Sequence, residues 1–223
     1  MLALNNRVVV IDDDDDGRDT IVDQLDEHNF EGVGIEGPFG SDIDRLLKVI
    51  DAEDPGFVIC DHRLNAKQFA SFSGLQVVKR LIELKRPAML LTTFQDPERI
   101  ALRLARSQVP VIKGRDRFHI EDVSYLRDVA RAEIEEEPVA SRKPHRVLIR
   151  VEAVRDSEVD VVVPSWNKGH AVVLPKPLIG ETIRNVVKVG DRLLGEVNVG
   201  ATNEDELYFK NINEIIESNG DPF

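Results

Sequence analysis

The sequence predicts an α/β chain: a doubly wound parallel sheet over roughly the first 135 residues, followed by a small all-β unit. Three observations carry this. Apolar runs alternate with helical periodicity five times before residue 137. Several of those runs end on a chemically distinctive polar residue. After Pro144 the helical periodicity stops, and short β-rich runs separated by Gly, Pro and Asn take over.

The first run, RVVVI at 7–11, is aliphatic on both faces and suits a strand inside a parallel sheet. It leads into five aspartates, Asp12 to Asp16. Two unit charges about 4 Å apart repel by roughly 4 kcal/mol at an effective dielectric near 20. The acids therefore point into water or surround a cation, and on this stretch alone the two readings balance. Thr20 to His28 has helical spacing, with Ile21, Val22 and Leu25 on one face. Gly32 to Ile35 forms a short second strand. Ser41 or Asp42 caps a helix carrying Ile43, Leu46, Leu47 and Ile50. FVICD, 57–61, is a third buried strand ending on Asp61, and Leu75 to Leu84 is amphipathic. The AMLLTTF run, 88–94, carries Thr92 and Thr93; Asp96-Pro97-Glu98 opens the next helix. Val109 to Ile112 is a short strand ending at Lys113, and Ile120 to Ile134 completes the alternation. The expected strand order is 2-1-3-4-5, that of flavodoxin-like folds, with ligands at the carboxyl edge of the sheet.

The expected division is 1–137 for the α/β domain, 138–144 for a linker, 145–213 for a small β-barrel or sandwich, and 214–223 for a tail. The tail, from Ile212 onward, reads as a short helix. Trp166 heads a polar loop and is first read as a barrel-rim residue. With Tyr208 and Phe209 it offers a second reading, stacking on single-stranded bases.

The chain has 223 residues, is 42% hydrophobic and 31% charged, and has a net charge of -12. This composition supports a real core and argues against nucleic acid as the main partner. No apolar run reaches the length of a membrane span, and residues 1–7 lack the features of a signal peptide. The single cysteine, Cys60, has no partner in the chain. A cytoplasmic location, without membrane contact, is the expectation.

Four kinds of group at four strand ends, in this order, resemble the receiver domain of two-component response regulators. The resemblance covers residues 5–136. It implies that Asp12 and Asp13 hold Mg2+ and that Asp61 accepts a phosphoryl group. Thr92 and Lys113 then contact the phosphoryl oxygens, and the Arg63 backbone carbonyl completes the metal shell. The implied phosphodonor is a histidine kinase or phosphotransfer protein. Output would pass through the β unit to a protein partner, with homodimerisation a further option. Self-phosphotransfer is the only catalysis implied. Asp14, Asp15 and Asp16 are read as helix-start charges, His62 as an exposed loop residue, and Cys60 as a packed strand residue.

The sequence departs from the family pattern in three places. Asn65 follows Leu64 where proline is usual, Gly114 follows Lys113 where proline is usual, and Pro110 stands where many members carry an aromatic. The loop from Asp61 to Gly74 is also long and carries Phe69 and Phe72. Those departures motivate an alternative, an interaction scaffold that is not phosphorylated. Two further readings are a phosphatase of the haloacid dehalogenase type, with Asp12 as nucleophile and Asp14 as acid/base, and a nucleic-acid-binding barrel.

Overall fold

A computed structural model describes residues 5–93 and 96–216. The chain divides into two compact units, residues 1–94 with 108–137, and residues 95–107 with 138–223.

The first unit is built on a five-stranded parallel sheet of order β2-β1-β3-β4-β5. The strands are β1 (Arg7–Ile11), β2 (Glu31–Gly34), β3 (Phe57–Asp61), β4 (Ala88–Thr92) and β5 (Val111–Gly114). This is the expected doubly wound, flavodoxin-like arrangement. All five residues of β3 and of β4 are buried, as central strands covered on both faces require. Phe94, the end of the expected fourth run, lies outside the described residues.

Helix α1 (Asp15–Glu27) starts on the aspartates, with Asp14 at its N-cap and Asp15 and Asp16 in its first turn. This is the helix-start role expected of them. In α2 (Ile43–Ala52) Asp42 caps the helix, its Oδ1 accepting from the Arg45 amide at 2.9 Å. Helix α3 (Gly74–Glu83) opens on a capping box of Ser73 and Gln76 and buries Val77, Val78 and Leu81. Helix α5 (Val123–Ile134) follows a 3-10 turn at Ile120–Asp122.

One helix departs from the expected grouping. The sequence places α4 (Asp96–Ala105) within the β/α alternation, yet it packs into the second unit. The physical reason is Arg103, 7% exposed. Its Nη1 donates to the Glu204 carbonyl at 2.7 Å and the Leu207 carbonyl at 3.0 Å. Its guanidinium also lies over the Phe209 ring, 6.0 Å from the centroid.

The second unit carries a five-stranded antiparallel sheet of order β10-β9-β6-β7-β8. Its strands are β6 (His145–Val154), β7 (Glu158–Val162), β8 (Ala171–Pro175), β9 (Arg192–Val197) and β10 (Phe209–Ile216). A short helix, α6 (Glu181–Arg184), precedes β9. The core includes Ile149, Val161, Leu174, Leu193 and Phe209. The sheet order ends on β10 and β8, and no pairing between those two strands closes it among the described residues.

Two expectations for this half change, the helical tail and the stacking role of Tyr208 and Phe209. The tail is not helical from Ile212: β10 continues to Ile216, pairing with β9, and residues 217–223 lie outside the described residues. Two carbonyls of the stretch 138–144 accept hydrogen bonds from the second unit. The Asn198 amide donates to the Ser141 carbonyl at 3.1 Å, and the Tyr208 hydroxyl donates to the Arg142 carbonyl at 2.6 Å. Tyr208 and Phe209 are buried, 3% and 0% exposed, so they present no stacking platform for bases. Trp166 is partly buried, packs against the core and donates from Nε1 to the Ala201 carbonyl at 2.8 Å.

Candidate functional site

Sheet register sets the site. Ile11 of β1 lies beside Cys60 of β3, so the following residues, Asp12 and Asp61, leave the sheet side by side. Asp61 then pairs with Leu91 of β4, and Leu91 pairs with Lys113 of β5. Thr92 is one residue further along, beside Gly114. With neighbouring strands about 4.8 Å apart, these side chains occupy one stretch of the carboxyl edge.

Asp12, Asp13 and Asp61 converge most closely. One oxygen from each lies within 4.8 Å of the others, and the residues are 2%, 8% and 8% exposed. Backbone amides orient all three. The Asp14 amide donates to Asp12 Oδ1 at 3.0 Å, the Arg63 amide to Asp61 Oδ2 at 2.7 Å, and the Ala66 amide to Asp13 Oδ2. Thr92 is buried at the end of β4, and Lys113 is half-buried. Asp14 is exposed and lies outside the cluster.

Arg115, which the sequence analysis does not single out, is a cation of this site. Its Nη2 donates to Asp61 Oδ1 at 2.6 Å and also to Asp12 Oδ2; its Nε donates to Asp61 Oδ1 at 3.2 Å. Burial pushes the Asp61 carboxyl above its ordinary value; Arg115 opposes that and the nearby Asp12 charge adds to it. Burial works against the Arg115 charge as well. The hydrogen bonds and charges of Asp12 and Asp61 outweigh it and hold the guanidinium above its ordinary value. The signal in the sequence was a second cation two residues beyond Lys113, on the same edge of the sheet.

The long loop after β3 folds onto its own unit. The Phe69 carbonyl accepts from the Phe39 amide at 2.6 Å, and the two rings meet at 5.4 Å. Lys67 Nζ reaches Asp15 Oδ2 at 2.6 Å. A cavity of about 340 Å³ lies between this loop, the start of α1 and residues 36–38, lined by Asp13, Asp15, Arg18, Lys67 and Phe69 among others. Gly74 closes the loop against the Asp61 carbonyl. A Cβ at position 74 would stand 1.7 Å from that oxygen.

His62 is not the exposed residue expected. It is 9% exposed, and its amide donates to the Leu91 carbonyl at 2.8 Å, continuing the β3–β4 ladder beyond Asp61. Cys60 is fully buried as expected, and burial, followed by the Asp61 and Asp12 charges, pushes its thiol well up.

Comparison with known proteins finds similarity to solved receiver domains. NtrX from Brucella abortus, solved with ADP, shares 18% identity at a TM-score of 0.44, over 59% of this chain and 28% of that one. The receiver domain of nitrogen regulatory protein C shares 18% at 0.43, over 57% of this chain and 95% of that one. The signal receiver domain of an HD domain-containing protein from Pseudomonas fluorescens Pf-5 shares 13% at 0.46, over 61% and 94%. No protein-family model matches the chain. No curated protein matches it either. No helix among the described residues is long and apolar enough to cross a membrane.

Proposed function

We propose that the first unit is a phosphoacceptor of the two-component type, with Asp61 as the acceptor. The observation that carries this reading is the convergence of the Asp12, Asp13 and Asp61 oxygens within 4.8 Å at the carboxyl edge of a 2-1-3-4-5 sheet. Three oriented carboxylates are the donor set that suits Mg2+, a hard cation that takes oxygen ligands and keeps several waters. On this reading Asp12, Asp13 and Asp61 would hold Mg2+, with the Arg63 carbonyl as a further ligand. When bound, the metal neutralises charge on the transferring phosphoryl group.

The chain's own residues do the rest. An Asp61 carboxylate oxygen attacks phosphorus, the bond from phosphorus to the donor breaks, and an acyl phosphate forms on Asp61. The Arg63 amide donates to Asp61 Oδ2 and fixes the orientation of the carboxylate. Lys113 offsets charge on the phosphoryl oxygens, and Thr92 donates a hydrogen bond to them. The donor is a phosphohistidine on a histidine kinase or phosphotransfer protein, or a small acyl phosphate. The second unit delivers the output by protein contact. The net charge of -12 and the burial of Tyr208 and Phe209 weigh against nucleic acid.

The test is to incubate the protein with Mg2+ and acetyl phosphate and weigh it intact. A gain of one phosphoryl group in the native chain, lost in Asp61→Asn, supports the proposal. No gain in the native chain, or an undiminished gain in Asp61→Asn, overturns it.

A second reading is favoured by Arg115, which already bridges Asp12 and Asp61. There Arg115 bridging Asp12 and Asp61 is a structural ion pair, and the unit is an interaction scaffold that needs no phosphorylation. It predicts partner binding indifferent to Asp61→Asn.

A further inference from the structure

The Arg115 guanidinium and a divalent cation have the same partners. Asp12 and Asp61 each have one oxygen tied to a backbone amide and the other engaged by Arg115. Those engaged oxygens belong to two of the three carboxylates proposed to bind the metal. The carboxylates are fixed, with side chains 3% and 9% exposed, whereas the Arg115 side chain is 32% exposed and has an open route to water. The asymmetry decides which partner leaves. We infer that Arg115 is a resident counter-ion that competes with the divalent cation for Asp12 and Asp61 and must swing out before the metal binds.

The inference rests on the metal-site reading given above and deepens it. It makes Arg115 a residue that sets metal affinity from within the chain. It also offsets part of the charge of the buried Asp12 and Asp61 carboxylates when no metal is present. A ligand binds more weakly, by that fraction, to a protein whose binding-competent state is only fractionally populated. If Arg115 engages the pair about nine-tenths of the time, removing it tightens metal binding about tenfold.

The experiment is calorimetric titration of Mg2+ into the full chain as native protein, Arg115→Gln and Arg115→Lys, with folding of each checked by circular dichroism. Arg115→Gln is expected to bind about tenfold more tightly than the native chain. Arg115→Lys keeps the charge and loses the planar fork that spans two carboxylates, so it is expected to fall between the two. If Arg115→Gln does not fold, the lysine variant carries the test alone. Tighter binding in Arg115→Lys than in the native chain supports displacement. Lysine-variant binding equal to or weaker than the native value overturns it, even if the glutamine variant binds more tightly, because that pattern is a through-space charge effect. Absence of Mg2+ binding in all three proteins overturns both this inference and the metal-site reading. Equal binding in all three overturns the inference alone.

Discussion

Replacing Gly74 with alanine tests how Asp61 is held. A Cβ at this position would lie 1.7 Å from the Asp61 carbonyl oxygen and 2.9 Å from Cys60 Sγ. An ordinary contact needs 3.4 Å or more, so the end of β3 and the start of α3 must part by about 1.7 Å. Overpacking of this kind costs about 1–3 kcal/mol, and more when backbone rather than a side chain obstructs. The same movement strains the hydrogen bond from the Gly74 amide to the His62 carbonyl, 2.9 Å long, worth about 1 kcal/mol. The better helix propensity of alanine returns less than about 1 kcal/mol at this first helical position. A net loss of about 3 kcal/mol follows, equivalent to a fall of about 1.5 M in the urea midpoint at a slope near 2 kcal/mol/M. Cys60, buried in β3 and the only cysteine, supplies the reporter. Its reaction with a thiol reagent across a urea series follows the opening of this unit. A midpoint within about 0.3 M of the native value would refute the close approach of Gly74 to Asp61.

Two further predictions concern charge and the second unit. Asp61 is raised above its ordinary value of 3.8, so the folded state keeps its proton where the unfolded state has lost it. Its contribution to stability is present below about pH 3.8 and is lost as pH rises through the folded value. The native urea midpoint should therefore decline relative to that of Asp61→Asn as pH rises through this window, and a difference that is flat or grows with pH contradicts the assignment. Arg103→Ala removes the donor for the Glu204 and Leu207 carbonyls, at a cost of about 2–3 kcal/mol for charge-assisted bonds to buried acceptors. Hydrogen exchange should accelerate in 96–105 and 203–209, and unchanged protection in both segments counts against the grouping of α4 with the second unit.

Much of the first unit was legible because burial in a parallel sheet writes itself as unbroken aliphatic runs. RVVVI, FVIC and AMLL admit few other readings, and the polar residue ending each run lands on the carboxyl edge. Asp12, Asp13 and Asp61 follow directly from that logic. Arg115 did not, because its role depends on the turn after β5, which brings a side chain back across two strands to β1 and β3. Sequence spacing does not encode that direction. The helical reading of the tail failed for a related reason. Ile212, Ile215 and Ile216 have helical spacing, but the register of β10 against β9 shifts between Lys210 and Glu214. A bulge of this kind breaks the alternation by which a strand is recognised. Arg103 drew no reading from the sequence, because the two backbone carbonyls it donates to lie 101 and 104 residues away.

The phosphoacceptor account is tested most directly by a crystal structure of the full chain grown with Mn2+ and a beryllofluoride phosphoryl mimic, with the metal located by its anomalous signal. The account predicts the metal on Asp12, Asp13 and Asp61. It places the mimic on an Asp61 oxygen within reach of Thr92 and Lys113, and the Arg115 guanidinium withdrawn from Asp12. A metal bound elsewhere, or an Arg115 still bridging Asp12 and Asp61 with no mimic attached, would contradict it.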